Sequence, residues 1–300
     1  MQHVLDRLPL GARVAVIRLR SLGDCVLTTP ALLLLKQHRP DLEIAVVVED
    51  RFRRVFEQSP HVQRTLPANI GALRAFRPRL VLNFHGGTRS QWMTGLSVSR
   101  IRAGFAHHAG NWLYSDKIPS AQRILGEERI VHTAEHMASA MFYLGVPKTE
   151  IPRACLFAPA IQRRESYAVI HPMASAADKA WPAERFLAIA KRLKGLTPVF
   201  LGGPGEDMAA FQEFECLAGQ PLGDVFTLMQ SASLFIGNDS GPAHMAAAFG
   251  VPAAVLFGPS DPRIWAPWRT RSAVVHSPAG MADISLDRMW EAVESLGARQ

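Results

Sequence analysis

The feature that most constrains the fold is an alternation of short β-branched runs with longer amphipathic stretches, which occurs twice along the chain. In the first half, RVAVIRL at 13–19 predicts a strand and VLTTPALLLLKQH at 26–38 predicts a helix. The alternation restarts with SYAVIHP at 166–172 and PAERFLAIAKRLKG at 182–195. Strands and helices alternating at this spacing form parallel sheets joined by right-handed crossovers. We therefore expect an α/β chain of two doubly wound, Rossmann-like domains that face an interdomain cleft.

A polar, proline-punctuated segment separates the two halves of this pattern. The chain has 300 residues, 48% of them hydrophobic, which is enough for two cores. We place the first domain at 1–150, a linker at 151–165 and the second domain at 166–280. Residues 281–300 are expected to form a C-terminal helix.

The net charge of +7 is distributed unevenly between the halves. Residues 1–150 contain 20 Lys and Arg against 12 Asp and Glu, whereas residues 151–300 contain 13 against 14. The densest run, at 51–79, has seven arginines and a single acidic residue, Glu57. Such a run is either a solvated face or the footprint of an anionic partner, which could be a phosphorylated substrate, an acidic membrane surface or nucleic acid. Because no nucleic-acid motif is present, we expect no nucleic-acid partner.

Cysteine usage and the lack of long apolar runs bear on the compartment. Cys25, Cys155 and Cys216 are odd in number and too far apart for a CxxC pair, which favours a reducing compartment. The first residues lack the profile of a signal peptide, and no apolar run approaches the roughly 18 residues of a spanning helix. We expect a cytoplasmic protein.

Ligands of doubly wound folds bind beyond the carboxyl ends of the strands, so the strand-to-helix loops are the candidate sites. In the first such loop, RLRSLGDCVLTTP at 18–30, Gly23 allows a tight turn and Asp24 falls at or just before a helix start. An aspartate there is either an N-cap or a carboxylate available as a general base.

The second loop, HPMASAADKAWP at 171–182, has the composition of a phosphate-binding loop. Small residues such as Ser175 let backbone N–H groups approach a phosphate, and Lys179 adds a positive charge near a helix N-terminus. The third loop, LGGPGEDM at 201–208, contains Glu206 but is not a GxGxxG fingerprint. No GxxxxGK occurs, which argues against a P-loop ATPase.

The fourth loop, GNDSGPAH at 237–244, looks superficially like part of a serine hydrolase. Asp239 and Ser240 are adjacent, so their side chains diverge, whereas a triad is assembled from distant parts of a chain. An anion site is the better interpretation, because Ser240 and Gly241 lie where a helix begins and Pro242 suits its first position. Asp239 and His244 would then flank the other substituents of that anion.

The segment HTAEH at 132–136 fits the HxxEH pattern of some zinc proteases. His132 and His136 would share one helix face, but no segment suggests itself as a third ligand. We favour helix-surface and core packing for both, and we expect no metal site.

Taken together, these loops resemble glycosyltransferase family 9, the ADP-heptose:lipopolysaccharide heptosyltransferases. The matching segments appear in family order and span nearly the whole chain: IRLRSLGDCVLTTPAL, LNFHGGTRS, HPMASAADKAWPAERF, LGGPGE and FIGNDSGPAHMAAAFGVPAAVLFGPSDP. The resemblance implies a GT-B fold, in which the first domain binds the acceptor and the second the nucleotide-sugar donor. The C-terminal helix of such folds commonly crosses back to the first domain.

The resemblance also implies an activity: inverting, metal-independent transfer of heptose from ADP-heptose to an anionic, lipid-linked oligosaccharide of the lipopolysaccharide inner core. It implies no cofactor, and the acceptor implies peripheral contact with an anionic membrane surface. Asp24 matches the family's general base. Lys179 matches the lysine at the donor phosphates, Glu206 the acid at the ribose, and Leu222 is assigned to the adenine. The implied donor-binding residues are Ser175, Lys179, Glu206, Leu222, Asp239, Ser240, Gly241 and His244, and the implied acceptor-binding residues are Gly23 and Arg89.

The sequence departs from the family pattern at two places. Met173 stands where family loops usually carry glycine, which narrows the phosphate loop, and the segment before PLGDVF at 221–226 is short. Two alternatives stay open: a related glycosyltransferase with another sugar nucleotide or a protein acceptor, and a non-catalytic nucleotide-sugar-binding protein. Asp24 argues against the non-catalytic alternative, because a binding protein needs no general base.

Overall fold

A computed structural model describes residues 2–159 and 166–298, and the chain divides into two compact units, Met1–Phe157 and Ala158–Gln300. Residues 151–159 of the expected linker contain neither helix nor strand. The rest of that linker, residues 160–165, lies outside the described residues, as do Met1 and the last two residues of the C-terminal segment.

The first unit is a six-stranded parallel sheet flanked by helices. Its strands are β1 (Arg13–Ile17), β2 (Glu43–Val48), β3 (Arg64–Pro67), β4 (Leu80–Asn83), β5 (Ile101–Phe105) and β6 (Asp116–Ile118). Its helices are α1 (Leu22–His38), α2 (Arg54–Glu57), α3 (Ile70–Phe76), α4 (Thr88–Leu96), α5 (Ala121–Leu125) and α6 (Thr133–Leu144). The strand order is β3-β2-β1-β4-β5-β6.

The second unit repeats this architecture. Its strands are β7 (Tyr167–His171), β8 (Thr197–Gly202), β9 (Glu215–Ala218), β10 (Leu234–Asn238), β11 (Ala253–Phe257) and β12 (Ser272–His276). Its helices are α7 (Ala183–Arg192), α8 (Leu222–Gln230), α9 (Gly241–Phe249), α10 (Pro262–Trp265) and α11 (Leu286–Ser295). The order is β12-β11-β10-β7-β8-β9, all parallel.

Both sheets have the doubly wound strand order of the Rossmann fold, so the α/β expectation is confirmed. The direction of winding reverses between β1 and β4 in the first unit and between β7 and β10 in the second. At such a switch point, the loops that follow the two strands run to opposite faces of the sheet, which opens a crevice at its carboxyl edge. The first and fourth loops singled out in the sequence follow β1 and β10, and the second follows β7.

The central strands consist mostly of apolar residues because both of their faces are buried. Every residue of β7 is buried, as are four of the five in β1, because helices cover both sides of each sheet. The edge strands β3 and β9 are only partly buried. The C-terminal helix α11 packs through Met289, Trp290 and Val293 into the core of the second unit. No helix within the described ranges is both long and apolar enough to cross a bilayer.

Candidate functional site

A buried arginine organises the switch point of the first unit. Arg18 directly follows β1 and is 4% exposed. Its guanidinium donates to the carbonyl of Phe84, just after β4, at 2.8 Å and to Oδ1 of Asp24 at 2.6 Å. The arginine therefore joins the ends of two neighbouring strands to the first turn of α1, and the partners offset the cost of burying its charge.

Asp24 is not the N-cap of α1, which is Ser21, but it takes part in capping the helix. It is the third residue of α1 and forms a capping box with Ser21, whose backbone N–H and hydroxyl donate to Oδ2 at 3.3 and 3.1 Å. Its side chain is a quarter exposed. Each carboxylate oxygen has two acceptor positions, so a held Asp24 can still accept a proton or hydrogen bond from a ligand.

The two residues expected at the acceptor lie in the first turns of α1 and α4. Gly23 is buried inside the first turn of α1 and does not form the preceding turn, because the helix begins at Leu22. Arg89 is the second residue of α4 and is 59% exposed. It donates to the carbonyl of Ala68 and lies 3.7 Å from Glu49, so it is directed towards the neighbouring loops after β2 and β3.

Three histidines surround Phe105 at the end of β5, and a fourth, His85, follows Phe84 in the loop after β4. His136 stacks on the Phe105 ring at 4.0 Å, while His107 and His108 lie within 6 Å of it. Burial lowers the pKa values of His108 and His136 to about 4, and nearby His107 and Arg18 act in the same direction. Burial, followed by Arg18 and Arg20, also lowers the pKa of His85. The imidazoles of His85, His108 and His136 are therefore uncharged at neutral pH.

The HTAEH segment has a structural explanation. His132 is the N-cap of α6, and its Nδ1 accepts the Ala134 amide at 3.1 Å. Glu135 accepts from Arg129 at 2.7 and 2.9 Å, which lowers the pKa of its carboxyl group. Across the part of the chain that the structure describes, no group of three or more potential ligands could hold a metal ion.

In the second unit, a buried asparagine fixes the phosphate-loop candidate. Asn238 ends β10 and is fully buried. Its Nδ2 donates to the carbonyls of Pro172 and Met173 at 2.8 and 3.3 Å, and its Oδ1 accepts the Trp181 amide at 3.3 Å. The two ends of the loop are thus tied to the adjacent strand, and the intervening residues form an exposed arch.

Polar side chains from three loops meet at the switch point of the second unit. Lys179 Nζ lies 3.6 Å from Oδ2 of Asp239. The Ser240 hydroxyl lies 3.4 Å from Nδ1 of His171, whose Nε2 is 3.8 Å from Glu206. Burial lowers the pKa of His171 to about 4. The imidazole is therefore neutral at pH 7, and its approach to Glu206 is a polar contact without the strength of an ion pair.

The fourth loop is a strand-to-helix junction. Ser240 is the N-cap of α9 and Gly241 its first residue, which puts Pro242 at the second position and not at the expected first. The Gly241 amide lies in the first helical turn, where N–H groups have no intrahelical acceptor. Gly237, near the end of β10, is required by close packing, because a Cβ there would lie 2.8 Å from the His171 carbonyl.

The other residues expected to bind the donor differ in how far their side chains are exposed. Ser175 is exposed on the arch, and Met173 is partly buried against the core. Leu222 is the partly exposed first residue of α8, a helix whose Asp224 and Val225 line a pocket together with Leu201 and Leu217. His244 is 4% exposed, one turn into α9, with its ring 6.3 Å from that of Trp265. The structure therefore places His244 beneath the junction.

This second arrangement is chemically suited to a phosphorylated ligand. A lysine and the N-terminus of a nine-residue helix place positive charge and N–H donors side by side, which favours an anion. The Glu206 carboxylate, with Oε2 held by the Gly203 amide at 2.6 Å, can accept hydrogen bonds from hydroxyl groups.

Three residues of these two centres were missed in the sequence: Arg18, His171 and Asn238. Each stands at the last position of a buried strand or directly after it. A polar residue that closes an apolar run before a strand-to-helix loop is the signal that could have found them, because burial there requires a specific partner.

Comparisons with known proteins agree with this architecture. The model of glycosyltransferase family 9 (heptosyltransferase) matches residues 70–288. Lipopolysaccharide heptosyltransferase 3 of Escherichia coli is 27% identical over 291 residues, covering 82% of this chain and 83% of that protein. The structure of the glycosyl transferase family 9 protein from Veillonella parvula DSM 2008 is similar at TM-score 0.83 and 22% identity, covering 95% and 97% of the two chains. The E. coli ADP-heptose LPS heptosyltransferase II structure gives TM-score 0.81 and 20% identity, covering 95% and 98%. These likenesses confirm the expected GT-B fold.

Proposed function

The chain belongs to glycosyltransferase family 9 and is a glycosyltransferase; from this premise, we propose that it transfers heptose from ADP-heptose to an anionic, lipid-linked acceptor of lipopolysaccharide. The family description and the E. coli relative, a lipopolysaccharide heptosyltransferase, support the sugar and the class of acceptor. The second unit binds the donor in this proposal, and the basic first unit binds the acceptor.

The observation that carries the proposal is the Lys179–Asp239 pair beside the N-terminus of α9. Lys179 and the Ser240 and Gly241 amides bind the diphosphate, and Asp239 turns to the hydroxyl groups of the sugar. Glu206 accepts hydrogen bonds from the ribose, and Leu222 packs on the adenine. Ser175 extends the phosphate contacts from the exposed arch, while buried His244 supports the first turn of α9 from below.

Asp24 is the general base of the first unit. It takes the proton of the acceptor hydroxyl as the oxygen attacks the anomeric carbon from the face opposite the diphosphate, and the configuration inverts. General-base assistance of this kind typically contributes about 10²–10⁴-fold in rate. Arg18 holds the carboxylate in one orientation. Gly23 lets the acceptor approach the first turn of α1, and Arg89 attracts its anionic groups.

The bond between the anomeric carbon and the diphosphate breaks as the new glycosidic bond forms, and its electron pair leaves with ADP. Lys179 and the α9 amides stabilise the negative charge that develops on the leaving oxygen. In this proposal they perform the task for which other glycosyltransferases use a divalent metal ion. A lipid-linked acceptor also brings the protein to the cytoplasmic face of an anionic membrane as a peripheral protein.

The proposal is tested by a thermal-shift screen of ADP, UDP and GDP, followed by transfer assays with the corresponding sugar nucleotides. We expect ADP to raise the melting temperature most and ADP-heptose to be the donor. A larger shift with UDP or GDP would overturn the donor assignment. Transfer to a protein but not to a lipopolysaccharide core oligosaccharide would overturn the acceptor.

A further inference from the structure

The first unit exposes large apolar side chains within one short stretch of sequence. Val98 is 75% exposed, Trp112 69%, Trp92 55% and Leu96 46%. We call these four residues the tryptophan surface. Clustered exposed apolar side chains on a folded protein mark a surface that contacts something else.

The residues of the tryptophan surface belong to elements that pack together. One stripe of α4 contacts the 110–113 turn, since Gly110 approaches the Gln91 side chain and a Cβ on Gly95 would lie 2.9 Å from Leu113. The stripe that contacts the turn contains Gln91 and Gly95. Trp92 and Leu96 are the next residue after each, so they lie one helical turn apart on an adjacent, exposed stripe of α4. Trp112 is exposed on that turn.

Val98 extends the tryptophan surface at an unfavourable backbone conformation. It lies two residues after α4 with φ of 57°, a left-handed conformation that is rare for β-branched residues. The fold thus holds an apolar side chain in solvent at a strained position, which is a feature associated with binding surfaces.

The chain segment that carries the tryptophan surface is basic, although Arg89 lies 3.7 Å from Glu49 of the loop after β2. Residues 58–115 contain seven arginines and no aspartate or glutamate. Arg74 donates to the carbonyl of Leu96 at 2.7 Å, Arg89 lies one turn before Trp92, and exposed Arg100 lies two residues after Val98. Arg74 and Arg100 form no ion pair with any residue that the structure describes.

We propose that the tryptophan surface, with its arginine rim, docks the first unit on an anionic lipid bilayer. Tryptophan prefers the headgroup level of a membrane, and arginines are attracted to anionic headgroups. A second copy of the chain fits less well, because a twofold contact would oppose arginine to arginine. This inference rests on the proposed function in one respect: a lipid-linked acceptor explains why the acceptor-binding unit should have such a surface.

The test measures flotation of the full chain with vesicles of phosphatidylethanolamine and phosphatidylglycerol, and with vesicles of phosphatidylcholine alone. We expect strong, salt-sensitive binding to the anionic vesicles and weak binding to phosphatidylcholine. The double variant W92S/W112S should lose about tenfold in partition coefficient, because its exposed indoles no longer bury apolar area. Arg100→Glu should lose about fivefold or more.

Two matched controls lie outside the surface. Leu10→Ser removes an 86% exposed apolar side chain, and Lys148→Glu makes the same charge change as Arg100→Glu at another exposed site of the first unit. Both should bind like the unsubstituted protein. All four variants change exposed side chains, so their melting temperatures should match.

Three results would overturn the docking surface. W92S/W112S could bind anionic vesicles as well as the unsubstituted protein, or the unsubstituted protein could bind both kinds of vesicle equally. W92S/W112S could also turn a dimer into a monomer while vesicle binding persists, which would make the surface an assembly interface. Transfer to a lipid-free acceptor oligosaccharide tests the proposed function separately, and W92S/W112S should keep it.

Discussion

Arg18 Nη2 donates a 2.6 Å hydrogen bond to Oδ1 of Asp24, and the arginine makes this bond with its side chain only 5% exposed. The same guanidinium binds the Phe84 carbonyl beyond β4. Moving this buried guanidinium is costly, because breaking either hydrogen bond leaves a buried charge or a buried carbonyl without a partner. The relationship therefore fixes the position of Asp24 relative to both strands of the switch point.

Asp24→Asn should separate the chemical role of the carboxylate from its structural one. The amide Oδ1 can still accept from Arg18, and the amide nitrogen gives up only the Ser21 N–H bond of the capping box, so the fold should persist with a modest loss of stability. The side chain can no longer take a proton. We expect the turnover number to fall by about 10²–10⁴-fold, measured as glycosyl transfer, with ADP affinity within a factor of about two of the unsubstituted protein.

Asp24→Ala should add a stability cost to the loss of activity. It removes both a charged hydrogen bond to Arg18 and the capping box with Ser21. We expect the free energy of unfolding to fall by about 2 kcal/mol, measured by urea denaturation. If Asp24→Asn retained most of its turnover, or lost ADP affinity in parallel with activity, the general-base role would be wrong.

Lys179→Ala should weaken donor binding and leave acceptor binding unchanged. A charged hydrogen bond to a phosphate contributes about 1.5–3 kcal/mol, so ADP affinity should fall by roughly 10–100-fold in calorimetry. Lys191→Ala is the matched control, since it removes the same charge from a lysine on α7 that pairs with Glu213 at the surface. Equal affinities of the two variants for ADP would remove Lys179 from the phosphate site.

Asn238→Ala should raise the KM for the donor although the side chain is fully buried. Three hydrogen bonds to the ends of the Lys179 loop are lost, at about 2–4 kcal/mol in total. The loosened loop should raise the KM for the sugar nucleotide and leave the KM for the acceptor unchanged.

Tyr167→Phe is the matched control for this positioning role. It removes a buried hydrogen bond of 2.6 Å from the first residue of β7 to the Leu228 carbonyl of α8, so it should cost stability without changing the KM for the donor. An equal rise of the donor KM in both variants would show that general loosening, and not loop positioning, causes the effect.

The sequence predicts the central strands because strands buried on both faces consist of continuous apolar runs, which are recognisable without the structure. RVAVIRL and SYAVIHP contain β1 and β7, and the helix predicted at 132–147 is observed as α6, ending before Gly145. The edge strand β3 was not predicted, because its partly exposed residues, Pro67 among them, carry no alternating or continuous apolar pattern.

Loop geometry is harder to predict because long-range partners decide it. Helix α1 begins at Leu22, four residues before the predicted start, since Ser21 and Asp24 cap it and Arg18 holds the cap. The arch of Lys179 depends on Asn238, which lies 57 residues after Trp181 in the chain. The roles assigned to the individual site residues stay predictions, because hydrogen bonds give their positions but not their ligands.

Buried His171 and partly buried His108 and His136 should make folding stability depend on pH between about 4 and 6.5. The pKa values of His108, His136 and His171 are lowered from the ordinary value of 6.5 to about 4, chiefly by burial. In this range the unfolded chain binds protons that the folded chain excludes. Stability is therefore fully present above pH 6.5 and is lost as the pH falls towards 4, by about 2 kcal/mol for each such histidine at pH 5.

His136→Phe isolates one of these contributions, because a phenyl ring can keep the stacking on Phe105 while removing the titrating group. The difference in unfolding free energy between pH 8 and pH 5, measured by urea denaturation, should shrink by about 2 kcal/mol in this variant. The free energy at pH 8 should change little, since the imidazole is already neutral there. An unchanged pH dependence would mean that His136 is protonated in the folded protein at pH 5. Its burial, together with nearby His107 and Arg18, would then fail to exclude the charge.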